Sequence, residues 1–309
     1  MPPLSVACWR VGGSAKRATK RADFGRKVGA KTLTIVKRGA APMRPRELVD
    51  AGGVSPPGPP RSAAFFDFDK TLLHGDAGVI FGWALLDWMW KQAAKFPLGS
   101  AERRKYERGV QLNAARIIAK GAAMRTLNVV GILKRSRMVE LSYEFLEGFA
   151  ADEMSREMAR AWHERIEARL YPKMREVLDD HRKAGRRIVI VTTGLQELIE
   201  HARSVLGEDI EVIGARMQVS PDGHYLGRVV GPLYGVHKAQ AVRAWAQANG
   251  VDLTESYAYS DHFSDVAFLE AVGHPIAVNP TLRLQMHARK KGWNVLWVMP
   301  PSTRDSHVP

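Results

Sequence analysis

The sequence predicts an α/β fold, a doubly wound parallel sheet with a helical cap inserted after the first strand. Three observations carry this. A short apolar run, Ala63-Ala64-Phe65-Phe66, ends in an acid, Asp67, as a buried strand does. Helical periodicity then fills residues 78–170, with Pro97-Leu98-Gly99-Ser100 as one break. From residue 187 onward, strand-like and helix-like stretches alternate, the pattern of a parallel sheet covered on both faces.

The elements follow in order. Residues 187–191 read as a strand, 196–206 as a helix and 210–213 as a strand. Residues 217–219 and 224–229 flank Pro221-Asp222-Gly223, a hairpin turn. A helix is expected over 236–248, a strand over 256–259 and a helix over 265–271. Residues 275–278 form the next strand, 282–290 a helix and 294–298 the last strand. The stretch between the first two strands is too long for one crossover helix, so it is a separate cap. The expected division is 1–62, a basic extension and linker; 63–76 with 186–299, the core; 77–185, the cap; and 300–309, a tail.

Composition sets the class. Of 309 residues, 45% are hydrophobic and 25% charged, enough for a globular core and unlike a disordered or collagen-like chain. A single cysteine, Cys8, excludes an internal disulfide and a cysteine-based zinc site, and fits a reducing, cytoplasmic setting. The net charge of +14 is uneven: residues 1–62 hold thirteen Lys/Arg and three acids, a net +10, which leaves +4 for the other 247. The body is therefore too weakly basic for its charge to argue nucleic-acid binding. The front segment, ending in Val54-Ser55-Pro56-Pro57-Gly58-Pro59-Pro60, reads as an unstructured extension, a tail for anionic partners or an organelle-targeting peptide. Its run Gly25-Arg26-Lys27-Val28-Gly29-Ala30-Lys31-Thr32 is not a phosphate loop, because no strand precedes it and no helix pattern follows. No apolar stretch is long enough to span a membrane.

Ligands of doubly wound sheets bind at the carboxyl ends of the strands. Asp67 and Asp69 lie two residues apart at one such end. Like charges this close call for a cation, and a hard divalent ion such as Mg²⁺ suits two carboxylates. Ile188-Val189-Ile190-Val191-Thr192-Thr193-Gly194 ends another strand in hydroxyls and free N–H groups before a helix, a setting for an anion. Lys238 lies near the start of a later helix, and its value comes from the company it keeps. Tyr259-Ser260-Asp261-His262-Phe263-Ser264-Asp265 ends a fourth segment in two more acids.

In this order, DxDxT, a strand ending in Thr, a Lys and DxxxD, the chain resembles the haloacid dehalogenase superfamily. The segment from Tyr259 to Asp265, followed by Gly273-His274-Pro275-Ile276-Ala277-Val278-Asn279-Pro280, is similar to its subfamily IB, which includes phosphoserine-phosphatase-like enzymes. The resemblance covers about residues 63–298. It implies a Rossmann-like core and a Mg²⁺-dependent phosphomonoester hydrolase. Asp67 would take the phosphoryl group, and Asp69 would protonate the leaving oxygen and then activate water. Lys238 would neutralise charge, Thr192, with Thr193 and Gly194, would hold the phosphate, and Asp76 would join them in binding the substrate. The expected metal set is Asp67, Asp69 through its carbonyl, Asp261 and, in support, Asp265. A phosphotransferase would share every one of these residues. A non-catalytic protein tethered by the basic segment is the reading from a different class.

Phosphoserine enzymes of this family usually carry Glu where this chain has Asp76, and Ser-Gly-Gly where it has Thr192-Thr193-Gly194. The substrate expectation thus stays at a small phosphomonoester, with a phosphorylated metabolite or a lipid headgroup phosphate both open. The cap holds Phe81, Trp83, Trp88, Trp90 and Phe96, which read first as packing and second as a lid or a membrane-surface contact. Lys134, Arg135 and Arg137 read as a solvated basic face, and His262 as loop surface.

Overall fold

The computed structural model describes residues 61–129, 141, 143–231 and 234–301. The basic front segment, the run 25–32, Lys134, Arg135, Arg137 and most of the tail lie outside the described residues.

Strand β1 (Ala63–Phe66) is the middle of seven. The others are β2 (Arg187–Leu195), β3 (Glu211–Val219), β4 (Tyr225–Val230), β5 (Tyr257–Ser260), β6 (His274–Val278) and β7 (Asn294–Leu296). Their spatial order is β4-β3-β2-β1-β5-β6-β7, and every pair is parallel except β3 with β4. The order reverses around β1, so its carboxyl end is a topological switch point.

The period-2 alternation of the strands divides the core in two. Ala63, Phe65, Val189, Val191, Ala258 and Ala277 face one layer, which helices α5 (Val236–Asn249) and α6 (Leu282–Lys291) cover with Val242, Ala246, Leu284 and Ala288. Ala64, Phe66, Ile188, Ile190, Tyr257, Tyr259, Ile276 and Val278 face the other. There α4 (Pro172–Lys183) packs Met174, Val177 and Leu178. Phe66 stacks on Tyr259 with centroids 4.6 Å apart, and the buried His181 of α4 bonds the Tyr259 hydroxyl at 2.8 Å. Burial of each such aromatic side chain contributes roughly 1.5–3 kcal/mol.

The insert contains α1 (Ala77–Ala93), α2 (Ala101–Val129) and α3 (Ala151–Ala161). It leaves and returns through paired segments: Leu73 bridges Leu170, and the His74 N–H donates to the Arg169 carbonyl at 2.8 Å. Helix α4 follows this return point and packs on the sheet. The sequence division placed it in the cap because its periodicity is helical, and periodicity alone does not say which layer a helix covers. Cap and sheet share one apolar cluster, in which Phe68, Phe81, Leu146 and Trp162 lie together.

Several boundaries differ from the sequence reading, three of them around β2 and β3. The pieces expected at 210–213 and 217–219 form one strand, β3, which pairs parallel with β2 and then antiparallel with β4. Gly214 lies between them, and a Cβ there would stand 3.0 Å from the Gln196 Cα, so glycine permits the close pass. β2 runs on to Leu195 through a register shift between Val191 and Leu195. The helix expected over 196–206 is broken into short turns, at Gln196–Ile199, Glu200–Ala202 and Arg203–Leu206.

Candidate active site

The end of β1 builds the centre of the site. The Asp67 N–H donates to the Tyr259 carbonyl at 2.9 Å, which holds the ends of β1 and β5 side by side. The Phe68 carbonyl then accepts from the N–H groups of Thr71, Leu72 and Leu73, a tight loop. Lys70 sits in it at φ +60°, a left-handed conformation uncommon for a residue with a Cβ. This turn lets the two carboxylates diverge. Asp67 lies on the sheet side, buried. Asp69 turns to the cap, where Oδ1 accepts from the Ala77 N–H at the start of α1, at 2.7 Å. Asp76 caps the same helix, accepting from the Val79 N–H at 3.1 Å.

Lys238 joins the centre from α5. Gly235, at φ +59°, starts this helix, a conformation that glycine adopts without strain. The buried Nζ donates to Asp67 Oδ1 at 2.5 Å and to Asp265 Oδ2 at 2.8 Å. The Thr71 hydroxyl donates to Asp67 Oδ2 at 3.1 Å, and the Ser260 hydroxyl to Asp265 Oδ2 at 2.9 Å. Burial lowers the Lys238 pKa, but Asp265 and Asp67 outweigh it and hold the ammonium charged.

The carboxylates are short of positive charge. Burial pushes Asp67 up, and the Lys238 ammonium opposes this. Burial, and then the nearby Asp76, push Asp69 well above the usual carboxylate range. Burial, and then the charge of Asp67, raise Asp261 to about 7. The Asp261 carboxylate takes no hydrogen bond or ion pair among the described residues. Its main-chain carbonyl accepts from the Thr281 N–H at 2.9 Å. Asp67 and Asp265 share the Lys238 ammonium directly, and Lys70 and Lys238 offset only part of the rise at Asp261.

No three acidic, histidine or cysteine side chains converge to hold an ion by themselves among the described residues. Two carboxylates, Asp67 and Asp261, remain, with main-chain oxygens and water to complete a shell. That donor set fits Mg²⁺, which keeps several waters and binds through one or two carboxylates. Asp265, expected in support of the metal set, holds Lys238: its Oδ2 is taken by Lys238 and Ser260, and the Ser264 hydroxyl lies 3.4 Å from its Oδ1. The Asp69 side chain is engaged by the cap, which leaves its main-chain carbonyl, the group expected in the metal set, aside.

The end of β2 supplies the next wall. Thr192 is fully buried, and its Oγ1 accepts from the Gly194 N–H at 2.9 Å, which folds the irregular end of the strand. The hydroxyl proton of Thr192 has no acceptor among the described residues, so it is free for an anion. The Thr193 carbonyl accepts from the Tyr143 hydroxyl at 3.0 Å. Tyr143 belongs to the insert, and it was not legible in the sequence: one tyrosine in a long helical block carries no signal. Burial, then Asp69, Asp76 and Glu197, raise its pKa, so the phenol stands among all three acids as a neutral donor. His262 contacts Ser264, with Nδ1 2.8 Å from the hydroxyl.

The chain is similar to known proteins. The model of the haloacid dehalogenase-like hydrolases matches residues 64–270. A Streptomyces azureus protein named for inhibition of morphological differentiation is 30% identical over 252 residues, covering 81% of this chain and 83% of its own. A phosphoserine phosphatase of Mycobacterium tuberculosis is 31% identical over 237 residues, covering 76% of this chain and 70% of its own. A solved Bordetella pertussis protein of unknown function superposes with a TM-score of 0.57 at 26% identity, covering 77% of this chain and 98% of that one. Two-thirds of the sequence lies within the family match, and of the two lysine-bridged aspartates Asp67 follows the end of β1 and Asp265 lies in the turn after β5. The chain belongs to the haloacid dehalogenase-like hydrolases.

Proposed function

We propose that the protein is a Mg²⁺-dependent phosphomonoester hydrolase that works through a phosphoryl group on Asp67. The observation that carries this is the Lys238 ammonium held between Asp67 and Asp265, with Asp69 turned to the opposite side on the α1 N-terminus. Phosphoryl transfer needs positioning and charge neutralisation more than elaborate bond chemistry, and this arrangement offers both. The Mycobacterium tuberculosis relative, named a phosphoserine phosphatase, supports the reaction class.

In this reading an Asp67 carboxylate oxygen attacks phosphorus, and the bond from phosphorus to the ester oxygen breaks. Asp69 gives its proton to the departing oxygen. Its Oδ1 is fixed by the Ala77 N–H, which leaves Oδ2 for that proton. Asp69 then takes a proton from water as the water oxygen attacks phosphorus. The bond to Asp67 breaks, and inorganic phosphate and the free carboxylate result. Thr192 donates its hydroxyl to a phosphate oxygen, beside the N–H groups of the bulged strand end. Lys238 offsets the charge of Asp67 as the phosphate approaches. Asp67, Asp261 and the Asp69 main-chain carbonyl would hold Mg²⁺, which supplies charge compensation for the phosphate. Asp265 keeps Lys238 in place and so supports the site. Asp76 fixes the start of α1, and so the position of Asp69.

The test is phosphate release from a panel of phosphomonoesters, phosphoserine included, with Mg²⁺ or with a chelator. The expected result is Mg²⁺-dependent turnover that Asp67→Asn reduces by at least about 10⁴-fold. Turnover that persists in Asp67→Asn would overturn the reading.

A further inference from the structure

Helix α1 has apolar residues on two sides. One side is the core face, with Ala77, Phe81, Ala84, Leu85 and Ala93 buried. The other holds Val79, Trp83 and Trp90, spaced i, i+4 and i+11, which is one line along a helix. This line is exposed: Val79 by 57%, Trp83 by 59% and Trp90 by 42%. A helix that is apolar all round belongs in an apolar environment. Here one side faces solvent although α2 already packs on α1. The line ends at the turn joining the two helices, where Leu98 is 87% exposed.

The surroundings are cationic. Between residues 91 and 108 stand six cations, Lys91, Lys95, Arg103, Arg104, Lys105 and Arg108, against two acids, Glu102 and Glu107. Arg103 is paired with Glu107 on the same helix, and Lys91 with Asp87. Lys95, Arg104, Lys105 and Arg108 make no ion pair among the described residues. Two exposed tryptophans and a projecting leucine, collared by unpaired cations, match the water–lipid interface of an anionic bilayer. There indole rings settle at headgroup level and lysines and arginines meet phosphates. A second protein copy would present the same excess of positive charge, which argues against a face shared between copies.

We propose that the α1–α2 hairpin is a docking surface for an anionic phospholipid membrane, seated through Trp83, Trp90 and Leu98. Helix α1 begins at Asp76 and Ala77, beside Asp69, so docking would bring the catalytic centre near the headgroups. The proposal stands whether or not the enzyme acts on a lipid.

The test uses the full chain, whose basic residues 1–62 could bind vesicles by charge alone. Sedimentation with phosphatidylglycerol vesicles and with phosphatidylcholine vesicles compares wild type with the combined variant Trp83→Ser, Trp90→Ser, Leu98→Ser. Circular dichroism checks that the variant is folded. Expected are binding to phosphatidylglycerol only, a loss of at least about tenfold in the variant, and quenching of wild-type tryptophan fluorescence by brominated lipid that Trp83→Phe with Trp90→Phe removes. Equal binding by the variant would assign the contact to residues 1–62 and overturn the proposal. So would absence of binding, or a wild type that is dimeric and a variant that is monomeric with no lipid bound by either.

Discussion

The carboxylate centre and the α1–α2 hairpin meet at one point, the Asp69–Ala77 hydrogen bond, and they are built on opposite principles. At the centre, charges are buried and held in place by short bonds: Lys238 on two aspartates, Thr71 on Asp67, Ser260 on Asp265. On the hairpin, tryptophans stand in solvent and Lys95, Arg104, Lys105 and Arg108 make no ion pair among the described residues. Charge inside and apolar surface outside both cost stability. Where a fold keeps both costs, the residues concerned serve something other than folding.

Substitutions sharpen this contrast. The largest effect on stability is expected at Lys238. Lys238→Met leaves Asp67 and Asp265 buried without their cation, and a broken buried pair costs about 3–5 kcal/mol. Urea unfolding checks it, and a loss below about 1 kcal/mol would show that the centre is more open to water than its burial indicates.

A smaller effect lies under the sheet. Burial pushes His181 down to about 3 from an ordinary 6.5, with Arg186 and His274 adding to it. Between these values the unfolded chain binds a proton that the folded chain refuses. The contribution of His181 is therefore fully present above about 6.5 and is lost as pH falls toward about 3. His181→Gln should flatten this acid limb of the stability profile. An acid limb of unchanged slope would sink the assignment. The smallest effect belongs to the hairpin: Trp83→Ser should change stability by no more than about 0.5 kcal/mol, because its ring is already largely in solvent. A loss above about 2 kcal/mol would mean that Trp83 is part of the core.

The same contrast explains what could be read from sequence. Strand ends have a grammar. Apolar runs that stop at Asp67, Thr192 and Asp261 announce both the strand and the place where its end opens to a ligand. The strand order around β1 then brings these residues together, with Lys238 delivered by α5. The cap has no such grammar. Helical periodicity did not separate α4, which covers the sheet, from α1 and α2, which do not. Tyr143 reaches Thr193 across about 50 positions of sequence, a contact that no local pattern encodes. The partner of Asp265 was also out of reach, since DxxxD spacing fits a metal ligand and a lysine holder equally well. Gly214 and the bulged end of β2 were missed for a related reason: close approach of two backbones leaves a glycine in the sequence but not its neighbour.

The central claim is that Asp67 carries the phosphoryl group. The direct measurement is an acid quench of Asp69→Asn during reaction with a phosphomonoester and Mg²⁺, followed by mass analysis of the peptide containing residue 67. The ester is p-nitrophenyl phosphate, whose leaving group needs no proton from Asp69, so only the second step is slowed and this variant should accumulate one phosphoryl group on Asp67, sensitive to hydroxylamine. Rapid turnover in the wild type, with the label on another residue, would contradict the account.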